Sequence, residues 1–327
     1  MEKLVRDYLK DLAIGPGMTH MNLTVFPLIH WAEAAPVYLP LDAALEDGLL
    51  EITEVSQSGE VPNLKVTNHG KIPILILAGE EVVGAKQNRI VNATLLVAGH
   101  KTLQIPVSCV EAGRWHYRDK GFYSERRMSS PHLRTKVEQD VQCAIREGRG
   151  FRANQGNVWE EIEAKSARLA VTSPTAAMAD IYDSYEEKLR QYTQHFPMIH
   201  NQKGILVKIN GEIMGLEIFD SSASLGHYFD KLIQSYALDA LDLLMEGQEP
   251  PNPWLAVMQW LQEVMQLPVV TSPSLGLGED LRLNSQKVIG SGLMHETALV
   301  YLAVFPKPDK EINSGMARAS RRGRFSK

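Results

Sequence analysis

The alternation of apolar and polar positions divides the chain into three stretches. Up to about residue 118 the apolar runs are short and strand-like. Residues 1–12 form a charged amphipathic helix, and a Gly-Pro-Gly turn at 15–17 leads into a strand from Met21 to His30. There Leu23, Val25 and Pro27 alternate with Asn22, Thr24 and Phe26, a period of two that is only partly clean. Leu41 to Leu50 carries a short acidic helix ending at Gly48, and Leu49 to Val55 is the next strand. Val61 to Thr67 and Ile72 to Leu77 are predicted to pair through Asn68-His69-Gly70, because Asn and Gly tolerate the positive φ of a tight turn. Ile74 to Leu77 is apolar on both faces, which predicts a central strand covered on both sides. Ile90 to Val97 and Thr102 to Glu111 are predicted to form a second hairpin. Pro106 removes a ladder donor and so places the later strand at an edge or a bulge.

The period then changes. Ser130-Pro131 supplies an N-cap and a first-turn proline, Gly148 a stop, and Leu133, Val137, Val141 and Ile145 repeat every fourth residue between them. A second helix, capped by Asn157, carries Trp159 and Ile162. A third starts at Ser173-Pro174 and places Ala177, Ile181, Tyr185, Leu189, Tyr192 and Phe196 on one face. Asn210-Gly211 between two apolar runs is the preferred dipeptide of a type I′ hairpin. Helices follow at about 223–246 and 253–266, and strands at about 283–290 and 297–305. After Asp220, His227, Lys231 and Ser235 repeat every fourth residue, a polar stripe that reads as a solvent face. Together these elements predict an α+β fold. Its N-terminal half (18–118) is an antiparallel sheet or sandwich, its middle (130–200) is helical, and its C-terminal half (203–306) is a β-hairpin with helices packed on it. A single domain over 1–306 is expected.

Charge and composition narrow the function classes. Apolar residues make up 44% and charged residues 22% of 327, the mixture of a water-soluble globular protein. A net charge of −5 gives no general attraction to nucleic acid or membrane. The charge is uneven, since residues 307–327 hold seven Lys/Arg and two acids. That segment reads as a solvated tail or as a weak anion-binding arm, so nucleic acid is expected at most weakly, through the tail. There is no apolar run of membrane-spanning length. Cys109 and Cys143 form no CxxC pair, which fits reduced thiols in a cytoplasm.

Motifs for phosphate loops, dinucleotide folds, zinc proteases and serine hydrolases are absent, and the histidines have no zinc-ligand spacing. The polar residues that remain are concentrated in Gly79-Glu-Glu-Val-Val-Gly-Ala-Lys-Gln-Asn-Arg89 and Ile105-Pro-Val-Ser-Cys-Val-Glu-Ala-Gly-Arg-Trp115, each flanked by apolar strands. Glu80 and Glu81 are adjacent and point to opposite faces of an extended segment. If the strands around them pair, 88–90 and 110–112 lie across from each other and Glu111 comes close to Asn88 or Arg89. Lys86, Arg89 and Arg114 suit phosphate, Gln87 and Asn88 suit base edges, Trp115 can stack, and Glu80 or Glu111 can take a hydroxyl proton. The same residues can equally satisfy one another and the backbone of a long irregular loop. Cys109 lies on an apolar strand face and reads as a small hydrophobe.

These two strings, with Phe219-Asp220 and Lys231-Leu-Ile-Gln-Ser-Tyr-Ala237, resemble the ARG and Rhodanese-Phosphatase-superfamily-associated protein domain family over most of the chain. The resemblance implies a setting in bacterial defence and nucleotide processing, which favours a ligand related to NAD or ADP-ribose, or another nucleotide. It transfers no catalytic role to any residue.

Two readings follow. In the first, the protein is a cytoplasmic domain that binds a nucleotide-derived ligand through Lys86, Gln87, Asn88, Arg89, Arg114 and Trp115. Glu80 or Glu111 would act as base if the ligand is hydrolysed or transferred. Glu80, Glu81 and Glu111 are then the candidates for holding Mg²⁺ through waters. In the second, it is a non-enzymatic module that recruits a protein partner or self-associates. Convergence of Glu80, Lys86, Arg89, Glu111 and Arg114 on one concave pocket separates the two.

Overall fold

The computed structural model describes residues 2–31, 37–56, 61–118, 121–244 and 253–307. In chain order the elements begin with α1 (Glu2–Lys10), β1 (Ala13–Ile14), β2 (Met18–His20), β3 (Leu23–Ile29), β4 (Leu39–Pro40), α2 (Leu41–Glu46), β5 (Leu50–Glu54) and β6 (Asn63–Asn68). A run of short strands follows: β7 (Ile74–Ile76), β8 (Glu81–Gly84), β9 (Arg89–Val91), β10 (Leu95–Val97), β11 (Thr102–Cys109) and β12 (Phe122–Tyr123). The helices α3 (Pro131–Arg146), α4 (Gln155–Arg168), α5 (Met178–Ser184) and α6 (Glu186–Gln194) come next. The chain then forms β13 (Gln202–Ile209), β14 (Glu212–Phe219), α7 (Ser222–Asp242) and α8 (Pro253–Met265). It closes with β15 (Val269–Pro273), β16 (Glu279–Asn284), β17 (Val288–His295) and β18 (Ala298–Pro306). The fold is α+β, as predicted.

The largest sheet has nine strands in the order β1-β3-β13-β14-β18-β17-β16-β15, with β2 also on β3, and every pairing in it is antiparallel. Both of its faces are covered. Ile205, Val207 and Ile209 of β13 join the large core beneath α3 to α7, whereas Leu206 joins Val257, Leu261 and Val264 of α8 and Val5 and Leu9 of α1 on the other side. Leu23 and Val25 against Phe26 and Leu28 divide in the same way. A strand buried on both faces has no polar side to show, which is why its sequence alternation is blurred. At the β13–β14 turn Asn210 (φ 50°) and Gly211 (φ 83°) take up the predicted hairpin conformation.

A second sheet has six strands in the order β12-β8-β9-β11-β6-β5, and its outer strands β12 and β5 approach each other, so it curls. A third is β10-β7-β4, in which β4 runs parallel to β7. Its middle strand, β7, is fully buried on both faces, as the apolar run predicts.

Several sequence expectations are corrected. The strand at 61–67 does not pair with the one at 72–77. Asn68 Nδ2 donates to Ile72 O (2.9 Å) and Val97 O (3.1 Å), and the connection carries the chain from the six-stranded sheet into the three-stranded one. Ile90 to Val97 is likewise divided. β9 pairs with β11, but β10 crosses to β7, so no tight hairpin joins it to 102–111. Pro106 is not at an edge. It sits where β11 ends its ladder with β6 and begins the one with β9, so its missing N–H costs no bond. The helix assigned to Asn157 begins earlier, because Asn154 caps it by accepting from Gly156 N–H. The apolar face from Ala177 to Phe196 belongs to two helices, broken at Tyr185. Residues 283–290 span a turn between β16 and β17, and β15 and β16 were not foreseen. The segment 307–327 lies outside the described residues except for Lys307.

Candidate functional site

The motif 79–89 builds the β8–β9 hairpin, in which Val82 faces Arg89. The turn is drawn tight by Asn88, whose Oδ1 accepts from Gly84 N–H (3.3 Å). Gly84 (φ 131°) and Ala85 (φ 36°) both lie at positive φ there. Across the ladder Arg89 faces Cys109, and Val110 N–H donates to Asn88 O (3.0 Å). The predicted approach is present at Asn88, while 89 and 90 pair with 109 and 108, and Glu111 Oε2 accepts from Asn88 N–H (3.2 Å).

Arg114 is the centre of this group. It holds Glu111 through Nε–Oε1 (2.9 Å) and Nη2–Oε2 (2.8 Å), a bidentate pair. Its remaining donors go to Ala85 O (2.7 Å), His116 O (3.1 Å), Gly84 O (3.2 Å) and Asn88 Oδ1 (3.2 Å). Burial works against ionisation of Glu111, but the hydrogen bonds from Arg114 and Asn88 overcome it and hold the carboxyl below its ordinary value. Gln87 Nε2 donates to Glu111 O (2.8 Å). Arg89 is fully buried. Its Nη1 donates to Gln87 O (3.0 Å) and Gln87 Oε1 (3.2 Å), and its Nη2 lies 3.8 Å from Glu54 Oε1. Beside it the Cys109 thiol is pushed up to about 11 by burial, against the pull of Arg89, so it is an inert packing group. Gln155 brackets Cys109 by accepting from its N–H (2.7 Å) and donating to its carbonyl (2.7 Å). Lys86 Nζ sits between two half-exposed rings, 5.2 Å from Trp115 and 5.1 Å from Tyr117. The guanidinium donors of Arg114 are thus turned inward, onto the backbone and Glu111, whereas Arg89 is buried with its Nε and Nη2 making no hydrogen bond among the described residues.

Glu80 is elsewhere. Its Oε2 accepts from Leu77 N–H (2.6 Å) and its Oε1 from Lys231 Nζ (2.7 Å) on α7. Lys231 Nζ also donates to Asp42 Oδ2 of α2, and Asp42 Oδ1 accepts from Ser124 Oγ (2.6 Å). Burial pushes Glu80 up to about 7 against the pull of Lys231. Burial alone would lower Lys231, yet Glu80 and Asp42 outweigh it and raise its pKa, so the side chain stays an ammonium and is no amine nucleophile. Glu81, on the opposite face of the strand, is also buried. Burial raises it to about 8 despite Arg127.

Asp42 and Lys231 form part of the wall of a cavity of about 300 Å³. Glu46 and Arg126 line its rim, joined by Arg126 Nη2–Glu46 Oε1 (2.7 Å), and His227, Asp230 and Gln234 line it from α7. Glu80 is therefore separated from Glu111, and the sequence-predicted set does not converge on one pocket, which counts against a ligand site built from these residues and leaves a ligand reading only the separate cavity beside Lys231. One part is a hydrogen-bonded network around Arg114, with Arg89 and Glu54 buried beside it. The other, Glu80 alone, stands behind the cavity and holds Lys231.

The polar stripe on α7 was misread as a solvent face, since Lys231 and Ser235 are buried. A signal was present: Leu225, Tyr228, Phe229, Leu232, Ile233 and Tyr236 leave the helix little side to give to water. Asp42 had no such signal, because an acid in the first turn of a helix is adequately explained by the helix dipole. Among the described residues no group of three or more His, Cys, Asp or Glu is placed to hold a metal ion, and Glu80, Glu81 and Glu111 do not share a site for Mg²⁺. Nor, among them, is any helix long and apolar enough to cross a membrane.

No curated protein and no solved structure matches the chain. A family model does, over residues 11–305, and by that match the chain belongs to the ARG and Rhodanese-Phosphatase-superfamily-associated Protein domain family.

Proposed function

We propose that this protein binds a small nucleotide-derived ligand, of the nucleoside or ADP-ribose kind, in the cavity beside Lys231. The observation that carries the reading is the cavity itself: about 300 Å³, polar, and backed by a buried ammonium clamped between two carboxylates. That volume lies at the small end of the usual range for small-molecule sites, so it suits a ribose with one attached group better than a whole dinucleotide. In this reading Asp230 and Gln234, which line the cavity, take sugar hydroxyls, and His227 and the Glu46-bound Arg126 meet a phosphate. Most of the acids and cations are already paired, which leaves hydroxyl recognition as the larger contribution. If the ligand is also processed, Asp42 is the carboxylate on the cavity wall. Glu80, which titrates near neutrality, acts on it through Lys231 as a positioning residue. A part in bacterial defence or nucleotide signalling fits this reading.

The test is thermal unfolding of the wild type, Asp230→Asn and His227→Ala with adenosine, ADP-ribose, NAD and ATP, with and without Mg²⁺. Asp230 and His227 are exposed on α7, so their replacement should leave the fold intact. A ligand at about 100 times its Kd adds about 2.7 kcal/mol to stability. A wild-type shift lost in both variants supports the reading, and no shift with any compound removes it. The alternative, a protein-interaction or self-association module, draws on the half-exposed pair Trp115 (46%) and Tyr117 (49%) beside Lys86. It predicts a partner or oligomer lost in Trp115→Ala.

A further inference from the structure

Gly226 lies in the second turn of α7 and lines the same cavity. A glycine inside a helix costs about 0.5–1 kcal/mol relative to alanine, so it calls for a reason. The usual reasons are missing here. Its φ is not positive, in contrast to Gly84 or Gly211. A Cβ built on it meets nothing closer than Met198 Sδ at 3.9 Å, whereas one on Gly79, Gly99 or Gly276 would collide with its neighbours at 2.6 Å or less. Packing would therefore accept a side chain at 226.

Gly226, His227, Asp230, Lys231 and Gln234 occupy one side of α7, spaced by one, three or four residues, and they form its wall on the cavity. At the N-terminal end of that row the space beside Gly226 is open, with nothing nearer than 3.9 Å to a Cβ built there. We infer that Gly226 is a specificity-determining residue: it admits a ring, sugar or base, to the wall formed by Asp230 and Lys231. The inference rests on the proposed ligand reading and adds to it the requirement for a ring-shaped group at this end of the cavity.

The experiment compares wild type, Gly226→Ala and Gly226→Leu as full chains, with two readouts. In ligand-free protein, Gly226→Ala should raise Tm by about 1–2 °C, since helix propensity improves and nothing is displaced. Calorimetric titration with adenosine and with ADP-ribose should give a severalfold weaker Kd for Gly226→Ala and at least about tenfold for Gly226→Leu, because the side chain fills the space a ring would take. A fall in Tm for Gly226→Ala would show that the glycine serves the fold and would overturn the inference. Equal affinity in all three proteins would overturn it while leaving the ligand reading standing. A wild type that binds neither probe would remove both.

Discussion

Glu80 and Lys231 stand 151 positions apart in the chain and meet at 2.7 Å in its interior. Their contact, with Asp42 on the other side of the ammonium, ties the strand-rich half to α7. All three side chains are buried, so the arrangement depends on charge balance rather than on solvent. Removing the lysine alone would leave two carboxylates facing each other out of water. We expect Lys231→Ala to lose about 3–5 kcal/mol in urea unfolding. Replacing the charges together, as in Glu80→Gln/Lys231→Met, should lose clearly less than Lys231→Ala, because only Asp42 then needs a partner. Equal losses would mean that packing, not ion pairing, sets the stability here.

Arg114 leads to a second expectation, since its donors are divided between Glu111 and three backbone carbonyls with Asn88 added. Arg114→Lys keeps the charge but offers one compact ammonium in place of a planar fork. It should therefore resemble Arg114→Ala, with a loss of about 2–4 kcal/mol. Binding at the cavity beside Lys231 should survive in whatever fraction remains folded. A lysine variant as stable as the wild type would show that the fork is dispensable and would reopen Arg114 as a ligand-binding group.

The parts of this architecture that local chemistry decides were legible from residues alone. Asn210-Gly211 made its hairpin, α3 begins at Pro131 although Ser130 makes no side-chain capping bond, and Asn88 meets Val110 and Glu111 as the adjacent strands suggest. The failures share a physical origin. The strands at 61–67 and 72–77 looked like hairpin partners because Asn68-His69-Gly70 permits a turn, but a turn does not say which sheet receives the next strand. Tertiary contacts decide that, here through Asn68 to Ile72 and Val97. The candidate residues were dispersed for a related reason. A run of Lys, Gln, Asn and Arg shows where donors are plentiful, yet only the fold shows whether they turn toward a ligand or toward the backbone. Lys231 carried the complementary clue, a charged residue on a helix with little room for a wet face.

Glu81 offers a test that any pH-stat unfolding experiment can make. Its carboxylate oxygens accept no hydrogen bond among the described residues, and burial raises its pKa to about 8 against the pull of Arg127. In the unfolded chain the group ionises near its ordinary 4.5. The neutral acid is thus what the fold accommodates, and its contribution is complete below about pH 4.5 and drains away as the pH climbs to about 8. Glu81→Gln keeps the shape and stays neutral throughout. The variant should match the wild type near pH 4 and exceed it progressively above that, by just under about 1 kcal/mol at pH 5 and about 4 kcal/mol at pH 8, since each tenfold change in proton affinity is worth about 1.4 kcal/mol. Glu80 also titrates in this range, but it is common to both proteins and cancels in the difference. Urea unfolding at pH 5, 6.5 and 8 gives the slope. A difference that stays flat with pH would mean that Glu81 is ionised in the fold and that Arg127, not burial, governs it.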